Sequence, residues 1–257
     1  MGGLGNMLFQ VAFAESLSKK FDCDVVYTGL KDNFDYIKSH YNRSPYADDY
    51  LKVFPNVDWT KNQDRLKEIK HRINVPFHYI EIEPKDGTEY VGYFQSEKYF
   101  YSLDFIRELF DLDEDIKYNA MRRYADLFSG NTCSIHVRRA DYLIMPDFHP
   151  TLGIDYYQTS VNMLDHFDID RFLVFSDDMP WCRENFQIPN VEFISNKDYL
   201  DFYIMTLCDY SIIANSSFSL LAALLSNSKT VIVPRKWLGS RCSDDYKDVI
   251  PDRWFKV

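Results

Sequence analysis

The residues best suited to chemistry in this 257-residue chain lie in Ser134-Ile135-His136-Val137-Arg138-Arg139-Ala140-Asp141-Tyr142. An apolar run typical of a buried strand opens directly into two adjacent arginines, with His136 just before them and Asp141 just after. Ligands of open α/β sheets bind beyond the carboxyl ends of the strands, so side chains at this position sit where a reaction is expected. A guanidinium is always charged and grips phosphate or carboxylate oxygens two at a time. In an acidic chain the pair reads either as a seat for an anionic ligand or as part of a structural Arg–Asp pairing. His136 alone reads as a core histidine; its place beside Arg138 makes it a candidate.

Three further segments carry suggestive residue types. Gly2-Gly3-Leu4-Gly5-Asn6 runs straight into an apolar-periodic stretch, so it reads as a turn into a helix or as a backbone cradle for an anion. It is not a dinucleotide fingerprint, because Leu8 stands where G-x-G-x-x-G requires glycine, and it lacks the Gly-Lys-Ser/Thr of a P-loop. A strand is expected ahead of such a loop. Asn215-Ser216-Ser217 follows the apolar Ser211–Ala214 and precedes an apolar helix; it would cap a helix in any protein and equally makes a phosphate seat. Ser176-Asp177-Asp178 closes another apolar run, and its carboxylates could hold a divalent cation on a diphosphate. The Asp-x-Asp pairs at Asp22, Asp111, Asp113 and Asp168 read as turns and caps in a chain this rich in aspartate. Asn215-Ser216-Ser217 and Asn42-Arg43-Ser44 match the glycosylation sequon; with no secretion signal they read as silent. No His-x-x-x-His or Glu-x-x-His cluster supports a metal site, and no Gly-x-Ser-x-Gly elbow is present.

Alternating helices and strands must position these residues. Periodicity predicts a helix over Leu8–Lys20 and a short strand at Val25–Tyr27, then a looser region with helical stretches near 61–72 and 103–127. Beyond Gly130 the pattern sharpens into strands at Cys133–Val137, Phe172–Phe175, Val191–Ile194, Ser211–Ala214 and Thr230–Val233. Helices are expected between them at Tyr156–Phe167, Tyr199–Cys208 and Ser219–Ser226. Short continuous apolar strands separated by helices imply βαβ units and a parallel sheet buried on both faces. A boundary near 129–131 divides the chain into lobes 1–129 and 130–257.

The chain carries 39 acidic and 29 basic side chains, a net charge of −10. That balance argues against a duplex nucleic-acid binder and against a polybasic membrane-surface protein. Arg138 and Arg139 are then expected to focus positive charge at one strand end of an acidic surface. No apolar run of 18 residues and no signal pattern appears, so a soluble cytoplasmic protein is expected. The five cysteines show no C-x-x-C spacing and read as reduced thiols, with Cys23, Cys133 and Cys208 in or beside apolar runs.

Gly2-Gly3-Leu4-Gly5-Asn6-Met7-Leu8-Phe9-Gln10 resembles the G-G-L-G-N-Q-L-F-Q opening of the α-1,2-fucosyltransferases, glycosyltransferase family 11. His136 to Tyr142 is similar to the family's H-V-R-R-G-D-Y motif, and Gly92-Tyr93-Phe94-Gln95-Ser96-Glu97-Lys98-Tyr99-Phe100 to its G-Y-F/W-Q-S-E-K-Y-F block. Phe175–Cys182 and Ile213–Ser219 complete five blocks in order. Departures are Met7 for glutamine, Ala140 for glycine, and the absence of a strand before Gly2.

The resemblance implies a GT-B-like α/β fold: two Rossmann-type lobes with parallel sheets flanked by helices, the second binding GDP-fucose and the first on the acceptor side. It implies inverting transfer of L-fucose from GDP-fucose to the 2-hydroxyl of a galactose-containing glycan, with no cofactor and no metal required. By the same resemblance Arg138 contacts the β-phosphate, His136 and Asp201 lie at the guanosine, Ser217 lies at the diphosphate, and Asn6 lies near fucose or the phosphates. Gly3, Gly5, Arg139, Asp177, Asn215 and Ser216 complete the expected donor-binding set. Arg138, Asp141 and Asn6 are the catalytic candidates, Asp141 either helping to deprotonate the acceptor or holding an arginine. Aromatics within 27–59 and 93–105 are candidates for stacking on acceptor sugars, or core residues. Open alternatives are another fucosyl linkage such as α-1,6 and a GDP-sugar-binding protein without transfer; a nicotinamide enzyme is disfavoured by Leu8.

Overall fold

The structure, a computed structural model, describes residues 2–28, 47–242 and 245–257, except for the side chains of 47 and 48. Asn42-Arg43-Ser44 and the aromatics at 34, 36, 41 and 46 lie outside the described residues. The chain divides into two compact units, Met1–Asp113 with Asp244–Ile250, and Glu114–Ser243 with Pro251–Val257. The division after Asp113, where a cut after 129 was expected, puts the helix Glu114–Tyr124 in the second unit; Tyr124 donates from its hydroxyl to Asn196 Oδ1 there (2.7 Å).

In the first unit α1 spans Leu4–Phe21, burying Leu4, Met7, Leu8, Val11 and Ala12 at helical spacing. Lys19 and Lys20 occupy its last turn, where cations suit the helix dipole, and Asp22 ends it in the left-handed region (φ 50°). Helices α2 (Ala47–Val53) and α3 (Leu103–Leu109) and the parallel pair β1 (His71–Asn74) and β2 (Thr88–Val91) complete its regular elements among the described residues. Phe94 adopts φ 52° and lies flat on Phe13, centroids 3.8 Å apart, while Tyr99 meets Phe13 edge-on. Of the aromatics considered for sugar stacking, Tyr50, Phe54, Trp59, Phe94 and Tyr99 are buried, whereas Tyr93 and Tyr101 are exposed.

Three expectations for this half are corrected. Val25–Tyr27 is not in a β-ladder. The helical stretch near 61–72 is only a 3₁₀ turn, Gln63–Glu68, with no buried residue to hold it, followed by β1. The stretch 103–127 breaks into α3 and α4 (Glu114–Tyr124), the latter continued by a 3₁₀ turn.

The second unit is built on six parallel strands: β3 (Thr132–Val137), β4 (Arg171–Ser176), β5 (Val191–Ile194), β6 (Tyr210–Ile212), β7 (Thr230–Val233) and β8 (Phe255–Lys256). Their spatial order is β5-β4-β3-β6-β7-β8. Helices α5 (Ile154–Asn162), α6 (Met179–Asn185), α7 (Asp198–Thr206) and α8 (Ser217–Leu225) link them. Renumbered from β3 the order is 3-2-1-4-5-6, that of a dinucleotide-type doubly wound sheet. Every residue of β3 is buried, and Cys133 pairs in register with Phe172 on one side and Tyr210 on the other. Helix α8 is buried on all sides from Ser219 to Leu225, as its uninterrupted apolar sequence requires. Cys23, Cys133, Cys182 and Cys208 are free thiols; Cys133, Cys182 and Cys208 are buried, while Cys23 is half-buried despite its apolar neighbours.

Backbone also meets backbone where Gly239 donates to Phe148 O (2.8 Å). A Cβ on Gly239 would lie 2.0 Å from Asp147 O. Gly239→Ala is therefore expected to cost about 1–3 kcal/mol by urea unfolding. Gly153→Ala, with nothing within 4 Å of the added carbon, is expected to cost less than about 1 kcal/mol.

Candidate functional site at the reversal of strand order

Successive strands grow outward from β3 in one direction and from β6 in the other, so the sheet's order reverses between them. Beyond such a reversal the chains leave in opposite directions and open a crevice. His136 and Arg138 sit at the carboxyl end of β3, Asp177 and Asp178 follow β4, and Asn215, Ser216 and Ser217 follow β6. The structure thus brings together most of the residues expected at the donor.

The arginines are not bare. Arg138 donates from Nη2 to Asp141 Oδ1 (2.5 Å) and from Nη1 to Asp177 Oδ2 (2.9 Å). Asp177 Oδ1 also accepts the backbone N–H of Arg139 (2.9 Å), so one carboxylate fixes both the side chain and the turn. Arg139 bonds Asp178 Oδ2 through Nε (3.0 Å) and lies over the Trp181 ring at 4.0 Å. Asp178 in turn accepts the Trp181 N–H and caps α6. Two guanidiniums therefore face three carboxylates, and the positive focus expected at this strand end is corrected to an ionic cluster with one carboxylate in excess. Asp141 is held by Arg138. Trp181 and Tyr142, which carries Arg138 at 5.5 Å over its ring, escaped sequence reasoning, although both flank the arginine motif's partners.

His136 is buried against Phe218, and its Nδ1 has no hydrogen-bond partner. Burial first, and then the Arg138 charge, push its pKa down to about 3, so the ring is neutral. Asp201, in the first turn of α7, moves the other way: burial raises its pKa to about 7. Asn196, at the end of β5, opposes that rise by donating its side-chain amide to Asp201 Oδ1 (2.9 Å) and its backbone N–H to the same carboxylate (3.2 Å). The Asn196 amide is oriented by Tyr124, whose hydroxyl donates to Oδ1. No spacing rule singles out Asn196; only the fold brings it to Asp201.

Asn215 is buried and donates through Nδ2 to Pro150 O and Trp237 O (3.1 Å each), which leaves Oδ1 without a partner. Ser216 precedes the first turn of α8 but makes no capping bond with its side chain, and that turn carries no acidic residue. Gly3, Gly5 and Asn6 belong to the first unit. There Gly3 caps α1, Gly5 is buried in its first turn, and Asn6 Oδ1 accepts from Gln95 Nε2 (2.7 Å).

A doubly wound sheet with an arginine at its strand reversal defines a nucleotide-type α/β protein. The profile of Glycosyl transferase family 11 matches residues 56–255, and the chain belongs to that family; it is a glycosyltransferase. It is 27% identical over 288 residues to an α-1,2-colitosyltransferase of Escherichia coli, across 100% of this chain and 96% of that protein. It is 28% identical over 186 residues to galactoside α-(1,2)-fucosyltransferase 1 of Bos taurus, across 62% of this chain and 52% of that protein. Among solved structures it is similar to the α-1,6-fucosyltransferase NodZ soaked with GDP-fucose, with a TM-score of 0.46, 12% identity, and 87% and 89% of the two chains covered.

His136 and Asp201 make opposing demands on stability. The unfolded state protonates its histidine below about pH 6.5 while folded His136 stays neutral to about 3, so its contribution is lost as pH falls through that window. Folded Asp201 keeps its proton to about pH 7 while the unfolded one releases it near 3.8, so its contribution is lost as pH rises through that window. Measured by urea unfolding, Asp201→Asn should gain stability relative to wild type as pH rises from 4 to 7. His136→Gln should gain relative to wild type as pH falls from 6.5 towards 4. Asn196→Ala, which keeps the backbone N–H but loses the side-chain amide donor, should raise the Asp201 pKa further, read by carboxyl NMR titration.

Proposed function

We propose that this glycosyltransferase moves L-fucose from GDP-fucose to the 2-hydroxyl of a galactoside with inversion, and needs no metal to do so. The observation that carries the reading is Arg138, set at the strand reversal of a family 11 chain and braced by two carboxylates. As the bond between fucose C1 and the β-phosphate oxygen breaks, its electron pair stays on GDP. The acceptor oxygen attacks C1 from the opposite face and loses its proton to a base. Arg138 takes up the charge gathering on the phosphate, joined by the first-turn amide of α8 at Ser217. Asp141 and Asp177 keep the guanidinium aimed, so it need not reorganise as charge develops. Arg139, tied to Asp178 and Trp181, holds the turn. Asp201 accepts from the N1 and N2 hydrogens of guanine, a pairing suited to a carboxylate, and neutral His136 and the free Oδ1 of Asn215 receive donor hydroxyls.

A second reading changes the donor sugar. A relative matched along the whole chain is named a colitosyltransferase, and colitose differs from fucose in lacking the 3-hydroxyl. Transfer should be measured with the fucose and colitose donors side by side, and the linkage read by NMR of the product. With the true donor, Arg138→Ala is expected to lower turnover about 100- to 1000-fold, and excess EDTA to leave wild-type turnover unchanged. Turnover of Arg138→Ala within twofold of wild type would sink the mechanism. GDP binding by calorimetry with no transfer to any galactoside would reduce the protein to a GDP-sugar binder.

A further inference from the structure

Asp201 is held by a chain of hydrogen bonds that begins outside the residues read as donor-binding, yet within the same unit. Its Oδ1 accepts the side-chain amide of Asn196 (2.9 Å) and the Asn196 backbone N–H (3.2 Å). Its Oδ2 is reached by that backbone N–H alone, at 3.3 Å. Asn196 Oδ1 in turn accepts from the Tyr124 hydroxyl (2.7 Å) and, at 3.4 Å, from Arg123 Nη1. Tyr124 is buried at the end of α4, with the Arg123 guanidinium 5.0 Å over its ring.

The direction of the Asn196 amide follows from which groups can donate and which can accept. A guanidinium has no acceptor, so the end of the amide facing Arg123 is the oxygen. An ionised carboxylate has no donor, so the end facing Asp201 is the nitrogen. The Tyr124 hydroxyl, which can act either way, is thereby made a donor. Reversing the amide would set its oxygen against Asp201 and its NH₂ against Arg123, and both contacts would turn repulsive.

Part of this is ordinary helix chemistry. Asn196 immediately precedes Lys197, the cap residue of α7, and an acidic side chain in the first turn that takes up a preceding N–H supports any helix start. The backbone bond alone fills that role. It calls for neither an asparagine at 196 nor a tyrosine hydroxyl 72 residues away in the chain. What the side-chain relay adds concerns the carboxylate itself. Burial disfavours the ionised form of Asp201 and the Asp198 charge adds to this, while the two Asn196 N–H groups oppose both. The amide also fills Oδ1 and leaves Oδ2 with capacity for another donor. Asp201 is only half-buried, and a carboxylate with one oxygen filled and the other open suits a ligand edge that carries N–H groups.

Resting on the reading that Asp201 meets guanine, we propose that Tyr124 and Asn196 are positioning residues that make Asp201 selective for a base with an exocyclic amine beside its ring N–H. Tyr124 turns the Asn196 amide, the amide fixes Oδ1, and Oδ2 is left for the 2-amino group. Without the relay the carboxylate rotates about its Cβ–Cγ bond and loses discrimination, while contacts to the rest of the nucleotide persist.

The test compares Kd for GDP and for IDP, which lacks only the 2-amino group, by calorimetry on the full chain. A hydrogen bond to a charged group sets the wild-type preference for GDP at about 10- to 100-fold. Tyr124→Phe keeps the ring under Arg123 and is expected to cut that ratio about threefold or more, and Asn196→Ala about tenfold. Kd for IDP should stay within about twofold of wild type in both, which also shows that the variants fold. An unchanged ratio in Tyr124→Phe, with Asp201→Asn losing it, would overturn the relay and leave the guanine contact standing. Equal weakening of GDP and IDP in Tyr124→Phe would overturn it too, since the tyrosine would then only support the fold. No preference in wild type, or an unchanged ratio in Asp201→Asn, would remove the guanine contact itself and the relay with it.

Discussion

The ion pairing of Arg138 is the constraint on which the rest of the site depends. A guanidinium cannot shed its charge, so the fold must either expose it or surround it. Here Asp177 reaches it from the end of β4 and Asp141 from its own turn, and the parallel register of β3 with β4 makes the first contact possible, since Val137 sits opposite Ser176. The same Asp177 holds the Arg139 N–H, so one carboxylate locks the conformation in which the chain leaves the sheet. The pairing also explains why an acidic protein can keep two arginines side by side: each is matched locally, and the net charge of the chain is irrelevant to it.

Much of this was legible in sequence because the central strands of the second unit are buried on both faces and therefore largely apolar. Val191–Ile194, an edge-side strand that is only partly buried, and Thr230–Val233 are bounded as expected. Two short elements escaped. Helix α6 is seven residues long and has no apolar stripe, though Asp178 and Pro180 mark its start; β8 has two residues, both exposed. In the first unit the rule fails for a different reason. Val25–Tyr27 has strand-like composition, but composition makes a strand only where a neighbour completes the ladder, and among the described residues none does.

The candidate site was legible as a list of residues and illegible as a circuit. Arg138, Asp177 and Asp141 are close enough in motif space to be named together, yet nothing in their order says that three carboxylates would meet two guanidiniums. Asn196 was invisible, because its importance lies in a side-chain amide whose oxygen is taken by Tyr124 and whose nitrogen is thereby left for Asp201. Such a relay is a property of orientation, and orientation is set by α4 packing near the end of β5.

Asp201 and His136 show how one strand-end layer can hold opposite ionic preferences. Both are withdrawn from water, and withdrawal favours the neutral form of each: a carboxylic acid that keeps its proton to about 7 and an imidazole that refuses one to about 3. Beside the paired arginines and carboxylates, His136 is thus uncharged, and Asp201 is uncharged below about pH 7. An incoming base offering N–H donors would draw Asp201 towards its ionised form, so that binding and ionisation reinforce one another. A phosphate meeting Arg138 would at the same time compete with Asp141 and Asp177 for the same donors. For the proposed transfer, an arginine shared with carboxylates is then better suited to an anionic leaving group than a bare positive pocket. A bare pocket binds ground state and transition state alike, whereas a guanidinium shared among carboxylates gives most to the oxygen that carries the most charge, which in the proposed reaction would be that of the departing phosphate.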